Sequence, residues 1–319
     1  MHSLAIFAHR SFKHYAPPGC LAISMGQYSI KELEKLSGIK AHTIRIWEKR
    51  HRIVAPQRTA TNIRLYSDED LKRIINVSLL NHYGLKISHI ARMTDEEIHQ
   101  KVIELSQQKT DASLFIDQLV VAMMDLDEVQ FNDIMAKLEN RFGFSQAITR
   151  VIYPFLEKIG VMWQTGTITP AHEHFFSNLI RQKLITAIAA LPVPPRTAPA
   201  ALLFLPEGET HEFGLLFFHY MVRKKGYYTF YLGQSVPLAD VLNIYQHHKP
   251  KYVLTYLVTT PPAAQMQEFL NYLAAAMSAA TIFASGHNLR NTAVRIPKNV
   301  KVIYQSTELE DLLPRADFV

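Results

Sequence analysis

Four prolines, Pro192, Pro194, Pro195 and Pro199, divide the chain into two regimes of apolar patterning. Proline fixes φ and cannot donate to a helix ladder, so no regular element is expected to run through this stretch. Before it, apolar residues recur at helical spacing. After it, short β-rich runs alternate with helical ones. One core cannot serve both patterns, and 319 residues with 48% apolar side chains are enough for two or three domains.

Positive charge is concentrated in one place. Residues 26–92 hold 13 Lys and Arg against 6 Asp and Glu, while the rest of the chain holds 21 against 22. That asymmetry points to a polyanion partner for a single module. Within it, Ser29 and Glu32 have the capping-box form, and Ser37-Gly38 supplies a helix stop and a tight turn. A second helix over 41–50 turns Ile44 and Trp47 inward, which completes a helix-turn-helix and makes Trp47 a core residue rather than a base-stacking one. The stretch 53–66, with Pro56, Arg58, Asn62 and Arg64, reads as a two-stranded wing, and Ser67 caps a third helix carrying Leu71, Ile74, Ile75 and Leu79. Thr43, Arg45, Lys49 and Arg50 lie on or beside the second helix, where side chains reach a major groove and its phosphates; Arg58 and Arg64 reach flanking backbone or minor groove from the wing. The bland alternative for these bases is an ordinary solvated face.

The remaining boundaries follow from composition. Residues 1–25 lack periodicity and read as a flexible extension, too short in its apolar run for a signal-peptide core. No uninterrupted apolar run reaches the roughly 18 residues of a membrane span, and the lone Cys20 forms neither an intrachain disulfide nor a CxxC site, which suits the cytoplasm. Residues 26–98 form the DNA-binding module. Residues 110–192 contain four apolar-faced helices, the count for an antiparallel bundle, the last opening with Thr169 as cap and Pro170 in its first turn. Residues 199–319 contain strands near 200–205, 227–232, 252–257, 281–285 and 300–304 with helices between, which implies a doubly wound parallel sheet, an α/β fold that binds ligands beyond the carboxyl ends of its strands.

Tyr28 to Leu33, Gly38-Ile39, Thr43 to Glu48, Pro56, Arg58, Arg64-Leu65-Tyr66 and Asp70-Leu71 together resemble the MerR family of winged-helix transcription regulators over about seventy residues. Tyr66 enters the DNA-binding set on that resemblance. Asn62 stands where many relatives carry glycine, and it tolerates the same left-handed turn. Members of this family dimerise through a long helical coiled coil, but residues 95–108 are too short for several heptads, so a homo-oligomer is expected through the C-terminal half.

Glu209-Thr210-His211-Glu212-Phe213-Gly214 resembles the D-x-H-x-x-G fingerprint of Rossmann-like cobalamin-binding domains. The resemblance implies that His211 is the lower axial ligand of cobalt, that Glu209 accepts its other N–H, and that Gly214 leaves room for the displaced nucleotide tail. Thr255-Tyr256-Leu257 and Ser285-Gly286 stand where the family has S-x-L and G-G, and would form pocket walls. In the bundle, Trp163 followed nine residues later by Glu173-His174 resembles the signature of light-responsive, cobalamin-dependent MerR regulators of the CarH and LitR type. That resemblance implies adenosylcobalamin as cofactor, with Trp163 packed on the adenosyl group and Glu173 and His174 lining its pocket; the alternative is that Trp163 fills bundle core and Glu173-His174 cap a helix. It further implies a repressor on double-stranded operator DNA, released when light breaks the Co–C bond. Those relatives carry a histidine after the tryptophan that takes the vacated upper site, whereas this chain has Gln164. A sensor of cobalamin level, a regulator with a vestigial site under a protein antagonist, and a corrinoid methyl carrier are the competing functions. The chain has no room for the methyl-transfer barrel of roughly 250 residues that a carrier serves.

Overall fold

The computed structural model describes residues 28–59, 61–108, 112–164, 168–290 and 292–316. The expected extension over 1–25 lies outside them. The described residues form two compact units, 28–176 and 177–316.

The first unit opens with the helix-turn-helix. Helix α1 (Ile30–Ser37) starts on a complete capping box: Glu32 N–H donates to the Ser29 hydroxyl at 3.4 Å, and Ser29 N–H donates to the Glu32 carboxylate at 2.6 Å. Gly38, at φ +73°, ends it in the left-handed region. Helix α2 (Ala41–His51) follows, then strands β1 (Gln57–Arg58) and β2 (Arg64–Leu65), paired antiparallel as the wing. The wing reverses at Asn62, φ +63°, where a short polar side chain takes the conformation usually left to glycine. Helix α3 (Asp68–His82) begins on a second capping box, Ser67 with Asp70, and α4 (Ile87–Ile90) and α5 (Asp95–Gln108) complete the module. Leu33, Ile44, Leu71 and Ile74 are fully covered, and Trp47, at 6% exposure, is a core side chain.

Four helical stretches follow: α6 (Ala112–Met124), α7 (Glu128–Phe142), a run from α8 (Phe144–Ala147) into α9 (Tyr153–Gln164), and α10 (Pro170–Ala189). The third run widens to a π-helical turn at Ile148–Ile152. It lies just before Pro154, whose ring would clash with the Arg150 carbonyl in a regular helix. Phe176 of α10 packs its ring 5.1 Å from Phe131 of α7 and 5.5 Å from Phe155 of α9, which places these helices around a shared aromatic core. Thr169 does precede α10, but its hydroxyl pairs with the His172 ring at 2.8 Å.

The compact units divide two turns into α10, not at the proline run where the sequence suggests a boundary. The later turns of α10 are tied to the sheet instead, since Arg181 Nε donates to the Glu212 carboxylate at 2.9 Å.

In the second unit β3 (Ala200–Pro206), β4 (Tyr228–Val236), β5 (Tyr252–Tyr256), β6 (Thr281–Ser285) and β7 (Val300–Ile303) form a wholly parallel sheet in the order β4-β3-β5-β6-β7. Helices α11 (Phe213–Lys224), α12 (Leu238–His248), α13 (Met266–Ala276), α14 (His287–Arg290) and α15 (Ser306–Leu312) connect and follow the strands. On one face Phe204, Val253 and Ile282 pack with Val241 of α12 and Leu270 of α13. On the other, α11 covers the sheet with Leu215 through Val222 buried along its length. Strand order reverses between β3 and β5, which makes their carboxyl ends the topological switch point of the fold.

His219 of α11 is an internal titration probe of this packing. Its ring stacks on Tyr231 at 4.6 Å, Nε2 lies 3.0 Å from the Thr229 hydroxyl, and burial, helped by the nearby Arg223 guanidinium, pushes its pKa from 6.5 down to about 4. The unfolded chain therefore takes up this proton first, and stability falls as the pH drops from about 6.5 to about 4. The expected loss is about 3 kcal/mol, measured as the difference between wild type and His219→Phe in urea titrations across that range.

Candidate functional site

Among the described residues, two sets of side chains are placed to bind something other than the protein itself. The first is on the helix-turn-helix. A helix of this length leaves one stripe uncovered once Ile44 and Trp47 turn inward, and on α2 that stripe carries Arg45, Lys49 and Arg50, all exposed, with Thr43 half-buried beside them. Their common face is convex and cationic, as groove contact requires. The wing is more constrained. Glu48 of α2, with 16% of its side chain exposed, accepts from Arg64 Nε at 3.1 and 2.9 Å and from the Tyr66 hydroxyl at 3.4 Å. Arg58 lies 3.8 Å from the same carboxylate and donates to Asn62 at 2.7 Å.

These contacts revise the DNA-binding set. Tyr66 is 1% exposed and offers no face to DNA; it buttresses Glu48 from within the core. Arg64 neutralises Glu48 and fixes the wing to α2. Glu48 itself is the residue that sequence reasoning passed over. A lone acid within a basic stretch was its signal.

The second set lies at the switch point. The chain leaves β3 through Gly208, at φ +82°, and Glu209 turns back into the protein, fully buried. Its Oε1 accepts from the N–H groups of Thr210 and His211 at 3.1 Å each and from His211 Nδ1 at 2.5 Å. Its Oε2 accepts from the N–H groups of Val258, Thr259 and Thr260 at 2.9, 2.6 and 3.0 Å, and from the Thr259 hydroxyl at 3.1 Å. One carboxylate therefore joins the loops that follow β3 and β5. Burial alone would raise its pKa, but the His211 hydrogen bond and the Thr259 and Thr260 amides outweigh burial and hold it at about 2. Because His211 donates through Nδ1, its lone pair resides on Nε2. An imidazole so oriented by a carboxylate is a prepared ligand for a borderline transition metal. The next residue, Glu212, is fixed as well, by Arg181, by the Tyr231 hydroxyl at 2.8 Å and by Gln234 at 2.9 Å.

The other walls converge on the same end of the sheet. Gly286, at φ +118°, lets the backbone after β6 press on Leu257: a Cβ there would lie 2.1 Å from the Leu257 carbonyl oxygen. Leu257 N–H donates to the Ser285 carbonyl at 2.7 Å, and the Ser285 hydroxyl donates to the Ile303 carbonyl at 2.6 Å. Thr255 Oγ1 is buried without a hydrogen-bond partner among the described residues, on the face of β5 that Val253 and Leu257 turn toward the core with α12 and α13. The imidazole and the carboxylate that orients it thus fit the donor a corrinoid's metal would need.

One expectation fails here. Gly214 leaves no open room beside the sheet, because a Cβ on it would lie 2.3 to 2.5 Å from ring carbons of Tyr256. Tyr256 is 4% exposed and packs edge-on to Phe218, ring centres 5.7 Å apart. Burial pushes its phenol up to about 12, a rise that Arg290 and the Ser285 hydroxyl partly offset. The alternation Thr-Tyr-Leu was the available signal, since a strand turns its middle residue to the opposite face.

On the helical unit, Glu173 is buried at 8% and its carboxylate lies 2.9 Å from Nδ1 of the exposed His174. Trp163 and Gln164 end α9, and their side chains lie outside the described part of the structure. A cavity of about 430 Å³, lined by Arg196, Tyr228, Phe230, His248, Lys249 and Lys251, opens at the amino ends of β3 and β4, opposite the switch point.

Two stretches of the chain match known families. Residues 28–97 match the family model of the MerR HTH family regulatory protein, and residues 115–187 match that of the B12 binding domain. The HTH-type transcriptional repressor CarH of Myxococcus xanthus is 27% identical over 256 residues, spanning 78% of this chain and 85% of the relative. CarA of the same organism, also an HTH-type transcriptional repressor, is 27% identical over 256 residues, spanning 80% and 83%. The HTH-type transcriptional regulator MlrA of Escherichia coli K12 is 32% identical over 73 residues, 23% of this chain and 30% of the relative.

Glu209→Gln tests the buried carboxylate. An amide must turn its NH₂ toward one of the two donor sets, so stability of the sheet unit should fall by about 2–4 kcal/mol in urea denaturation of the full chain. A loss below about 0.5 kcal/mol would show that the donors find other acceptors.

Proposed function

We propose that this chain is a MerR-type, cobalamin-binding regulator of transcription and that it works as a light-responsive repressor, a reading supported by its match to both family models and to the two repressors. It holds double-stranded operator DNA as an oligomer while adenosylcobalamin is bound, and lets go on illumination. The observation that carries the reading is the Glu209–His211 pair at the sheet's switch point, since burying a carboxylate to orient one imidazole has little purpose in a DNA binder without a ligand.

In this reading His211 would hold the cobalt through Nε2, with Glu209 keeping the proton on Nδ1. Thr255, Leu257, Ser285 and Gly286 bound the lower pocket. Trp163, Glu173 and His174 receive the upper ligand; a flat indole offers large apolar area at small entropic cost. Bound there, adenosylcobalamin supplies a light-labile cobalt–carbon bond. The protein's part is to make contacts that differ between the two ligand states, because a ligand shifts an equilibrium only by its differential binding. Self-association through the C-terminal half then sets how many helix-turn-helix heads reach DNA together, with Arg45, Lys49, Arg50 and Thr43 as contacts and Arg58 assisting from the wing. A second reading, a sensor of cobalamin level, is favoured by Gln164, because an amide is a poor replacement ligand for cobalt.

The test is to load the purified chain with adenosylcobalamin in darkness and to record absorbance, oligomer size and operator binding before and after illumination. A bound corrinoid with a light-driven fall in size and DNA affinity is expected. A size and affinity that follow cofactor addition but ignore light would replace the first reading by the second, and failure to take up any corrinoid would remove both. For the DNA face, Arg45→Ala should weaken operator binding and reduce the salt slope by about one unit if it meets a phosphate; an unaltered slope assigns Arg45 to a base edge or to solvent.

A further inference from the structure

The ring of Tyr256 stands where the switch-point pocket would otherwise continue along α11. It is 4% exposed, lies against Gly214 so closely that a methyl group there would overlap it, and is braced edge-on by Phe218. Glu209 and His211 pair with each other, and Glu209 also accepts from the loops after β3 and β5. A metal-ligating imidazole is thus preserved while the space on the α11 side of β5 is filled. A corrin ring seated beyond the strand ends is compatible with that filling. A base-bearing nucleotide tail threaded beside Gly214 is not, because it is larger than a phenol and would have to expel one.

We propose that Tyr256 is a specificity-determining residue which excludes an inserted nucleotide tail, so that the chain discriminates against tail-bearing corrinoids relative to tail-free ones. This rests on the reading that His211 ligates a corrinoid's cobalt and narrows it: adenosylcobalamin, which carries the tail, would have to keep that tail outside the space beside Gly214. Expelling the ring forfeits burial of an aromatic side chain and its contact with Phe218, so a tail binds only to the extent that its own contacts exceed that loss.

The experiment is an absorbance-monitored titration of the full chain, in darkness, with hydroxocobalamin and with diaquocobinamide. It compares wild type with Tyr256→Phe, Tyr256→Ala and Tyr256→Val. Cobinamide has no base to displace, so the change between variants is the diagnostic quantity. Opening the space should raise cobalamin affinity by about tenfold or more while cobinamide affinity stays within about twofold, and Tyr256→Phe should behave as wild type. Two truncations of different shape are used so that one folded variant suffices, as judged by circular dichroism. An unchanged cobalamin-to-cobinamide ratio in a folded truncation, or a wild-type preference for cobalamin, overturns the proposal and leaves the cofactor reading standing. If no variant binds either corrinoid, the cofactor reading fails and the proposal with it.

Discussion

The arrangement at the sheet's carboxyl end depends on one buried anion. Glu209 is fully covered and accepts seven described hydrogen bonds, from the residues immediately after it and from the loop beyond β5. A carboxylate without these donors would not remain charged in such surroundings; with them it is held as an anion and acts as a bracket. The bracket decides two things together. It sets the distance between the loops on either side of the switch point, and it fixes which nitrogen of His211 bears the proton. The structural and chemical roles of Glu209 therefore cannot be separated.

The helix-turn-helix uses the same device in a wetter place. Glu48 joins the recognition helix to the wing through Arg64, with Tyr66 below it and Arg58 nearby. A partly exposed pair of this kind adds little stability. Its consequence is geometric, because it ties the wing to the helix while Arg45, Lys49 and Arg50 remain exposed on α2. A basic module can thus assign one of its own arginines to internal order and still present a cationic surface.

Helix α10 links to the neighbourhood of the imidazole. Arg181 reaches Glu212, the residue after His211, and Tyr231 and Gln234 hold the same carboxylate. The proline run therefore trails the functional connection, and the compact unit begins within α10. Two carboxylates in four residues, Glu209 and Glu212, thus flank the imidazole and anchor it to the sheet and to the helix.

Much of this was legible in the sequence. Both capping boxes, the inward Trp47, the left-handed turn at Asn62 and the positions of the five parallel strands follow from local rules, because caps, turns and apolar period act over a few residues. The His211 and Glu209 pair was legible through its resemblance to a known fingerprint, whose two residues lie only two apart. What the tertiary structure alone decided involves partners distant in the chain: that Glu209 also binds the amides of 258–260, that Arg64 faces Glu48, that Tyr66 is covered, and that the Tyr256 ring fills the space beside Gly214. Sequence specifies which side chains are short, charged or aromatic and which face of an element they occupy. Only the packing of elements determines which of them compete for the same volume, because excluded volume and hydrogen-bond saturation are properties of neighbours in space.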